Sequence, residues 1–337
     1  MVKKTENKQI ENKTIEETIE SIQSRFGAGS LMRLDSDFHL DIESIPTGSI
    51  KIDKILGIGG FPKGRIVEVY GGAAVAKTTL ALHVIEQTQK LGGIAAIVDT
   101  EHALDKTYAE KLGVNLHDLL IAQPNTAEEA LQIIEQLVRD GNVSVVVLDS
   151  VAALLPRAES VGEIGETQIG LQARIMSSSL RKLVGLISKS NVCAIFINQT
   201  RAAISTGPFS YGPSTTTSGG NALSFYASVR IEMKRMQQIK QGEEVIGMRI
   251  KVKTVKNKVA APFKECEVDV YYGEGISKGY ELLEVGTELG ILEQKGSFFY
   301  HGADSIGHGL KSAKEWLMNN EEVCKEIRDA VSNKKEI

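Results

Sequence analysis

Between residues 45 and 275, short apolar runs alternate with longer segments in which apolar residues recur every three or four positions. The runs IVEVY (66–70), IAAIVD (94–99), VSVVVLD (143–149), VCAIFIN (192–198), ASVRIEM (227–233) and ECEVDVYY (265–272) are β-branched or aromatic and predict strands. Between the first four, the spacing predicts helices over 78–91, 127–139 and 171–189. Nearly continuous apolar strands separated by helices imply a parallel sheet covered on both faces. From Tyr226 onward, strand-like runs follow one another without helices, which predicts an antiparallel extension. After Gly275 the pattern is mixed, with helices over 312–318 and 321–331. At the other end, residues 1–34 carry alternating charges and an apolar face at Ile15, Ile19 and Ile22 that stops at Gly27 and Gly29. That is a glycine-capped helix too small to bury its own face, so it needs a partner surface on its own core or on a neighbouring subunit. The fold class is therefore α/β: a mainly parallel twisted sheet flanked by helices over 41–275, an N-terminal helical segment over 1–40, and a small α+β C-terminal domain over 276–337.

Composition narrows the function classes. With 42% hydrophobic and 24% charged residues, the 337-residue chain has the balance of a packed protein rather than a disordered one. No apolar run is long enough to cross a bilayer, which excludes membrane transport by a helical bundle. Cys193, Cys266 and Cys324 lie far apart without a CxxC pair, so a structural zinc site is not expected. Their odd number and the lack of a secretory signal point to the cytoplasm. At a net charge of −4, any nucleic-acid binding has to come from local basic groups.

Candidate chemistry begins with VEVYGGAAVAKTTLALHVIEQ (67–87), which reads as strand, glycine turn, Lys-Thr-Thr and helix. This is the layout of a phosphate-binding loop, G-x-x-x-x-G-K-[ST], except that Ala76 stands where the second glycine belongs. The nucleotide candidates are the turn Gly71, Gly72, Ala73, Ala74, Val75 and Ala76 and the helix start Lys77, Thr78 and Thr79. Lys77 would reach the terminal phosphates, Thr78 would ligate Mg²⁺ directly, and Leu80 with Val84 and Ala81 with Ile85 would seat the helix on the sheet. A left-handed backbone at Ala76 would cost about 1–2 kcal/mol. Alone, the stretch reads better as an ordinary strand, turn and helix. Other strand ends decide between the two. Asp149 closes VVVLD and suits Mg²⁺ held through water; Glu101, just past IAAIVD, suits a base that activates water; Gln199, after IFIN, suits a γ-phosphate sensor. In the helix over 171–189, Arg174, Ser177 and Arg181 share one face, with Met176, Leu180, Val184 and Ile187 as the buried face opposite. Beside that basic stripe, two glycine-rich polar segments at about 159–170 and 201–221 are too long for simple connections.

The strings EHALD, LDSVAAL, GEIGETQIG, INQTR, TTTSGGNAL, FYASVR and KVKTVKNKVAAPFK occur in this order, and with them the chain resembles the bacterial RecA family of DNA-strand-exchange recombinases from about residue 19 to 331. The resemblance implies a RecA-type P-loop ATPase core that uses ATP and Mg²⁺, forms a helical filament on single-stranded DNA, pairs it with homologous duplex DNA, and supports DNA repair and the SOS response by promoting self-cleavage of a repressor. Matched residue by residue, it implies that Glu101, Gln199, Lys256 and Lys258 serve catalysis, the two lysines reaching the ATP of the neighbouring subunit along one strand face. Tyr108 matches an adenine-stacking residue. Ile169 matches a wedge between bases, Gly170 closes the first DNA loop, Arg201 matches a basic contact, and Gly219, Gly220 and Asn221 match backbone-binding residues. The family pattern Pro-Glu-Ser-Ser-Gly is replaced here by Gly72, Ala73, Ala74, Val75 and Ala76, which leaves a second reading: a nucleotide-responsive DNA-binding filament protein with impaired hydrolysis. Phe209 and Tyr211 in the second loop would stack on bases or stiffen the loop, and the ending VSNKKEI, without an acidic tail, implies weaker self-inhibition of DNA binding.

Overall fold

The computed structural model describes residues 15–27, 30–31, 42–162, 170–202 and 215–333. The chain divides into two compact units, Met1–Asp41 and Ile42–Ile337. In the first, helix α1 covers residues 15–26 and ends where Gly27 takes a φ of +98° and donates its N–H to the Gln23 carbonyl. Ile15 and Phe26 on this helix are exposed, and Ile19 and Ile22 half-buried.

The second unit opens with β1 (Ser44–Ile45), α2 (Ile50–Leu56) and β2 (Phe61–Pro62). Strand–helix alternation then follows as the pattern predicts: β3 (Ile66–Gly71), α3 (Lys77–Lys90), β4 (Ala95–Asp99), α4 (Lys106–Lys111), β5 (Leu119–Ala122), α5 (Ala127–Asp140), β6 (Val145–Asp149), α6 (Arg157–Val161), α7 (Leu171–Ser190) and β7 (Cys193–Ala202). Next come β8 (Thr215–Thr217), α8 (Ala222–Tyr226) and the long strands β9 (Val229–Gln241) and β10 (Glu244–Asn257), with β11 (Glu265–Tyr271) and β12 (Gly275–Ile276). The chain closes on α9 (Lys278–Glu288), β13 (Leu292–Lys295), β14 (Phe298–His301), β15 (Asp304–His308), α10 (Gly309–Met318) and α11 (Glu321–Asn333).

The main sheet has the order β12-β11-β10-β9-β3-β7-β6-β4-β5, with β8 paired to β7. Strands β9, β3, β7, β6, β4 and β5 are mutually parallel, and β10 to β12 extend the sheet antiparallel. Period-two alternation splits the central strands between two cores. Val67, Ile97, Val147 and Ile195 face α3, whereas Ile66, Val98, Leu148 and Phe196 face α5 and α7. A third core, built on Leu282, Phe299, Leu317 and Ile327, belongs to the C-terminal segment with its three-stranded sheet. All three cysteines are shielded: Cys193 and Cys324 are buried, and burial pushes the Cys193 and Cys266 thiols up to about 12. Among the described residues no helix is long and apolar enough to cross a membrane.

One helix face differs from expectation. In α7 the buried residues are Met176, Leu180, Leu183 and Ile187, while Val184 is exposed. At about 100° per residue, Leu183 falls about 20° from Met176, inside the apolar stripe, whereas Val184 falls about 80° from it, beside Ser177.

Candidate functional site

Parallel strands align their carboxyl ends, and the register here pairs Gly71 with Gln199 and Asp99 with Asp149. The carboxyl ends of the parallel ladders therefore emerge along one edge, where open α/β sheets bind ligands, although β7 does not end at Gln199 as expected but runs on to Ala202, paired there with β8. A cavity of about 530 Å³ lies there, lined by Ala73 to Thr79, Glu101, Tyr108, Asp149 and Gln199. Arg235, Met248, Val270, Tyr271, Tyr272 and Gly273 complete the wall from the β9–β11 side. Those six were not anticipated, because they come from β9–β11 and the turn after β11, which carry no recognisable motif.

The turn after β3 is set by packing. A Cβ on Gly71 would meet the Met233 carbonyl oxygen at 2.2 Å, so only glycine fits beside β9. Ala74 and Ala76 take φ of +53° and +61°, in the left-handed region that disfavours a Cβ, so the anticipated strain falls on two residues rather than one. Val75 between them is 4% exposed and packs into the core under α3. Burying that side chain contributes about 1.5–3 kcal/mol, which offsets most of a strain of about 2–4 kcal/mol over the two alanines. The loop thus keeps a phosphate-cradling shape through an apolar anchor and carries no side-chain hydrogen bond at the α3 N-cap.

At the start of α3, Lys77 is nearly buried and its Nζ donates to the Gly72 carbonyl at 2.6 Å, curling the side chain back over the loop. Burial lowers its pKa, countered by the charges of Asp149 and Glu101. Thr78 Oγ1 donates to Asp149 Oδ2 at 2.6 Å. Burial, with repulsion from Glu101 and Asp99, raises the Asp149 carboxyl to about 6 against the Thr78 bond and Lys77. Glu101 Oε1 accepts from Gln199 Nε2 at 2.9 Å and from Ser150 Oγ at 2.5 Å. Ser150 is a member of this cluster that the sequence did not single out. Tyr108, on α4, shares a 3.0 Å hydrogen bond with Thr79 Oγ1. A buried ammonium, a hydroxyl–carboxylate pair and unpaired N–H groups at a helix start form a donor set that fits a nucleotide triphosphate with a hard divalent cation.

The lysine pair is placed elsewhere. Lys256 Nζ donates to the Ser224 and Phe225 carbonyls at 2.8 and 2.9 Å, and Lys258 is exposed. They do not share a regular strand face as expected: the ladder shifts register between Thr254 and Lys256, and β10 ends at Asn257.

Of the DNA candidates, Arg174 and Arg181 are exposed on α7 with Ser177 half-buried between them, and Gly170 begins the helix at φ +77°. Gly219 and Gly220 have φ of +80° and +73°; a Cβ on either would come within 3.0 Å of Val151 or Ala173, so the end of the second glycine-rich segment lies tightly against the start of α7. Arg201 is exposed on β7 opposite Thr216 of β8, and Asn221 is exposed before α8. Ile169, Phe209 and Tyr211 lie outside the described residues.

Comparison with known proteins covers nearly the whole chain. A family model for the RecA N-terminal domain matches residues 13–277, and one for the RecA C-terminal domain matches 280–336. A protein RecA of Geobacter sulfurreducens is 53% identical over 324 residues, covering 96% of this chain and 95% of that protein. One from Porphyromonas gingivalis is 50% identical over 319 residues, covering 94% and 93%. Among solved structures, the RadB recombinase superposes with a TM-score of 0.52 at 25% identity, over 69% of this chain and 98% of that one.

Proposed function

The chain belongs to the RecA family of DNA recombination and repair proteins, which bind ATP and DNA, and from that premise we propose that it is a DNA-dependent ATPase that assembles as a helical filament on single-stranded DNA and exchanges strands with homologous duplex. The observation that carries this reading is the convergence of four parallel strand ends on one cavity, with Lys77, Thr78, Asp149, Glu101 and Gln199 among the lining residues. Bound ATP with Mg²⁺ supplies the anhydride whose cleavage drives the cycle. Lys77 and the α3 N–H groups hold the phosphates. Thr78 would ligate the cation directly and Asp149 through water. Glu101 accepts a proton from water at its carboxylate, and Ser150 and Gln199 keep it oriented until then. Gln199 exchanges Glu101 for a phosphate oxygen, and the move of its strand reorders the DNA segments. Tyr108 stacks on the base.

On the DNA side, Arg174, Ser177 and Arg181 bind backbone phosphates without regard to sequence, with Arg201, Gly170, Gly219, Gly220 and Asn221 beside them and Ile169 as a wedge. Lys256 and Lys258 act on the nucleotide of the adjacent subunit. The protein works in the cytoplasm and promotes self-cleavage of an SOS repressor. A second reading keeps filament and nucleotide response but loses effective turnover; the positive φ at Ala74 and Ala76 is the observation in its favour. ATP hydrolysis measured with and without single-stranded DNA, beside Ala76→Gly, decides. Stimulated and equal rates in both proteins support the ATPase. Stimulation in Ala76→Gly alone supports the second reading, and absence of both ATP retention and filaments rejects the proposal.

A further inference from the structure

Strand β3, which leads into the phosphate loop, carries one carboxylate in an otherwise apolar or aromatic run. Glu68 has no solvent exposure. A buried carboxylate is costly unless it is paired and hydrogen-bonded, and this one is held from two sides. Its Oε1 accepts from Asn198 Nδ2 at 3.0 Å, and its Oε2 from Arg230 Nε at 2.5 Å. Each partner reaches a different functional element. Asn198 precedes Gln199, accepts the Gln199 backbone N–H on its Oδ1 at 2.9 Å, and also donates to the Ser218 carbonyl at 3.0 Å, one residue before Gly219 and Gly220. Arg230 lies beside Glu68 in the β3–β9 register and opposite Lys256 in the β9–β10 ladder, with its guanidinium 4.8 Å above the Tyr70 ring. Lys256 in turn holds the carbonyls at the end of α8, the helix that follows Asn221. A row of Glu68, Arg230 and Lys256 therefore crosses three strands, and without the carboxylate two cations would face each other across neighbouring strands.

We propose that Glu68 is the positioning residue that couples the phosphate-sensing strand to the second DNA segment and to Lys256. Resting on the functional reading above, this adds a buried hub to it: displacement of Gln199 moves Asn198, and the shared carboxylate passes that movement to Ser218 on one side and to Arg230 and Lys256 on the other. Because coupling free energies are reciprocal, DNA bound at the loop root also biases the sensor through the same carboxylate.

The test is the affinity of the full-length protein for a labelled oligothymidine, measured by anisotropy with ADP and with a slowly hydrolysed ATP analogue. The wild-type ratio of the two affinities is expected to be on the order of 5–150-fold, and Glu68→Gln, which keeps size but removes charge, is expected to lower it about tenfold. ADP affinity and thermal unfolding, measured alongside, register a purely structural role, which lowers stability and leaves the ratio unchanged. An unchanged ratio overturns the proposal. If Glu68→Gln loses its cooperative unfolding transition, Asn198→Ser carries the test, since it cuts the link and spares the Glu68–Arg230 pair; the same loss is expected, and an intact ratio overturns the proposal. A wild-type protein whose DNA affinity ignores the nucleotide rejects the functional reading itself, and the hub with it.

Discussion

The loop after β3 and the side chains at the neighbouring strand ends line the same cavity but are built by opposite means. From Gly72 to Ala76 the loop has no polar side chain, and its shape rests on two left-handed alanines and the buried Val75. Beyond the loop, side chains make the bonds: Thr78 to Asp149, and Ser150 and Gln199 to Glu101. A loop that acts through backbone N–H groups tolerates loss of its side-chain chemistry at a modest conformational cost. A cluster that acts through side-chain protons and charges has no such freedom.

The comparison makes ranked predictions. Lys77→Ala removes the one charged side chain at the loop end and is expected to lower ATP turnover by about 10³-fold, read in a coupled phosphate-release assay. Glu101→Gln is expected to cost about 10²-fold in kcat while nucleotide affinity, read by fluorescent ATP titration, stays near wild type. Should Ala76→Gly alter turnover more than Glu101→Gln does, the contrast between backbone and side-chain parts is wrong. The expected effect of Ala76→Gly is smaller: relief of left-handed strain against greater freedom of the unfolded chain nets at most about 1 kcal/mol of stability, read by urea titration.

The last prediction fixes the pH range over which the contrast is readable. On α2 and α9, burial pushes the carboxyls of Asp53 and Glu281 up to about 7. The folded protein keeps protons there that the unfolded chain releases near pH 4, so this contribution to stability is full below about pH 4 and is lost as pH rises through about 7. Asp53→Asn is expected to flatten the fall in unfolding free energy between about pH 4 and 7 by on the order of 1–2 kcal/mol, measured by urea titration.

Much of the fold was legible because its signals are local. The ends of α3, α5 and α7 lie within one residue of the positions that apolar spacing and caps predict. Strands β3, β4, β6 and β7 announce themselves as unbroken apolar runs. Strand β5 does not: it has four residues, and Leu120 and Ile121 are exposed at the sheet edge. Strand β10 hides behind Lys251 and Lys253, whose alternation with buried Ile250 and Val252 reads as a charged segment until β9 and β11 flank it. In the C-terminal segment the helices α10 and α11 were visible, but the β13–β15 sheet is too short for periodicity to register. The candidate site follows the same rule. Lys77, Thr78 and Glu101 come just after strands, Asp149 closes β6 and Gln199 closes the parallel part of β7, so all could be found by position. Ser150, Arg235 and Tyr272 owe their places to strands far apart in sequence, and Glu68 is one carboxylate inside a hydrophobic string.

The shielding of Cys193, Cys266 and Cys324 has a practical consequence. Alkylating reagents attack the thiolate, so a protein whose own sulfurs are buried or held protonated is chemically mute while folded. A cysteine placed on an exposed position beside the glycine-rich segments would then be the dominant reactive sulfur. Its labelling rate would report loop ordering against a background that rises only when the cores open.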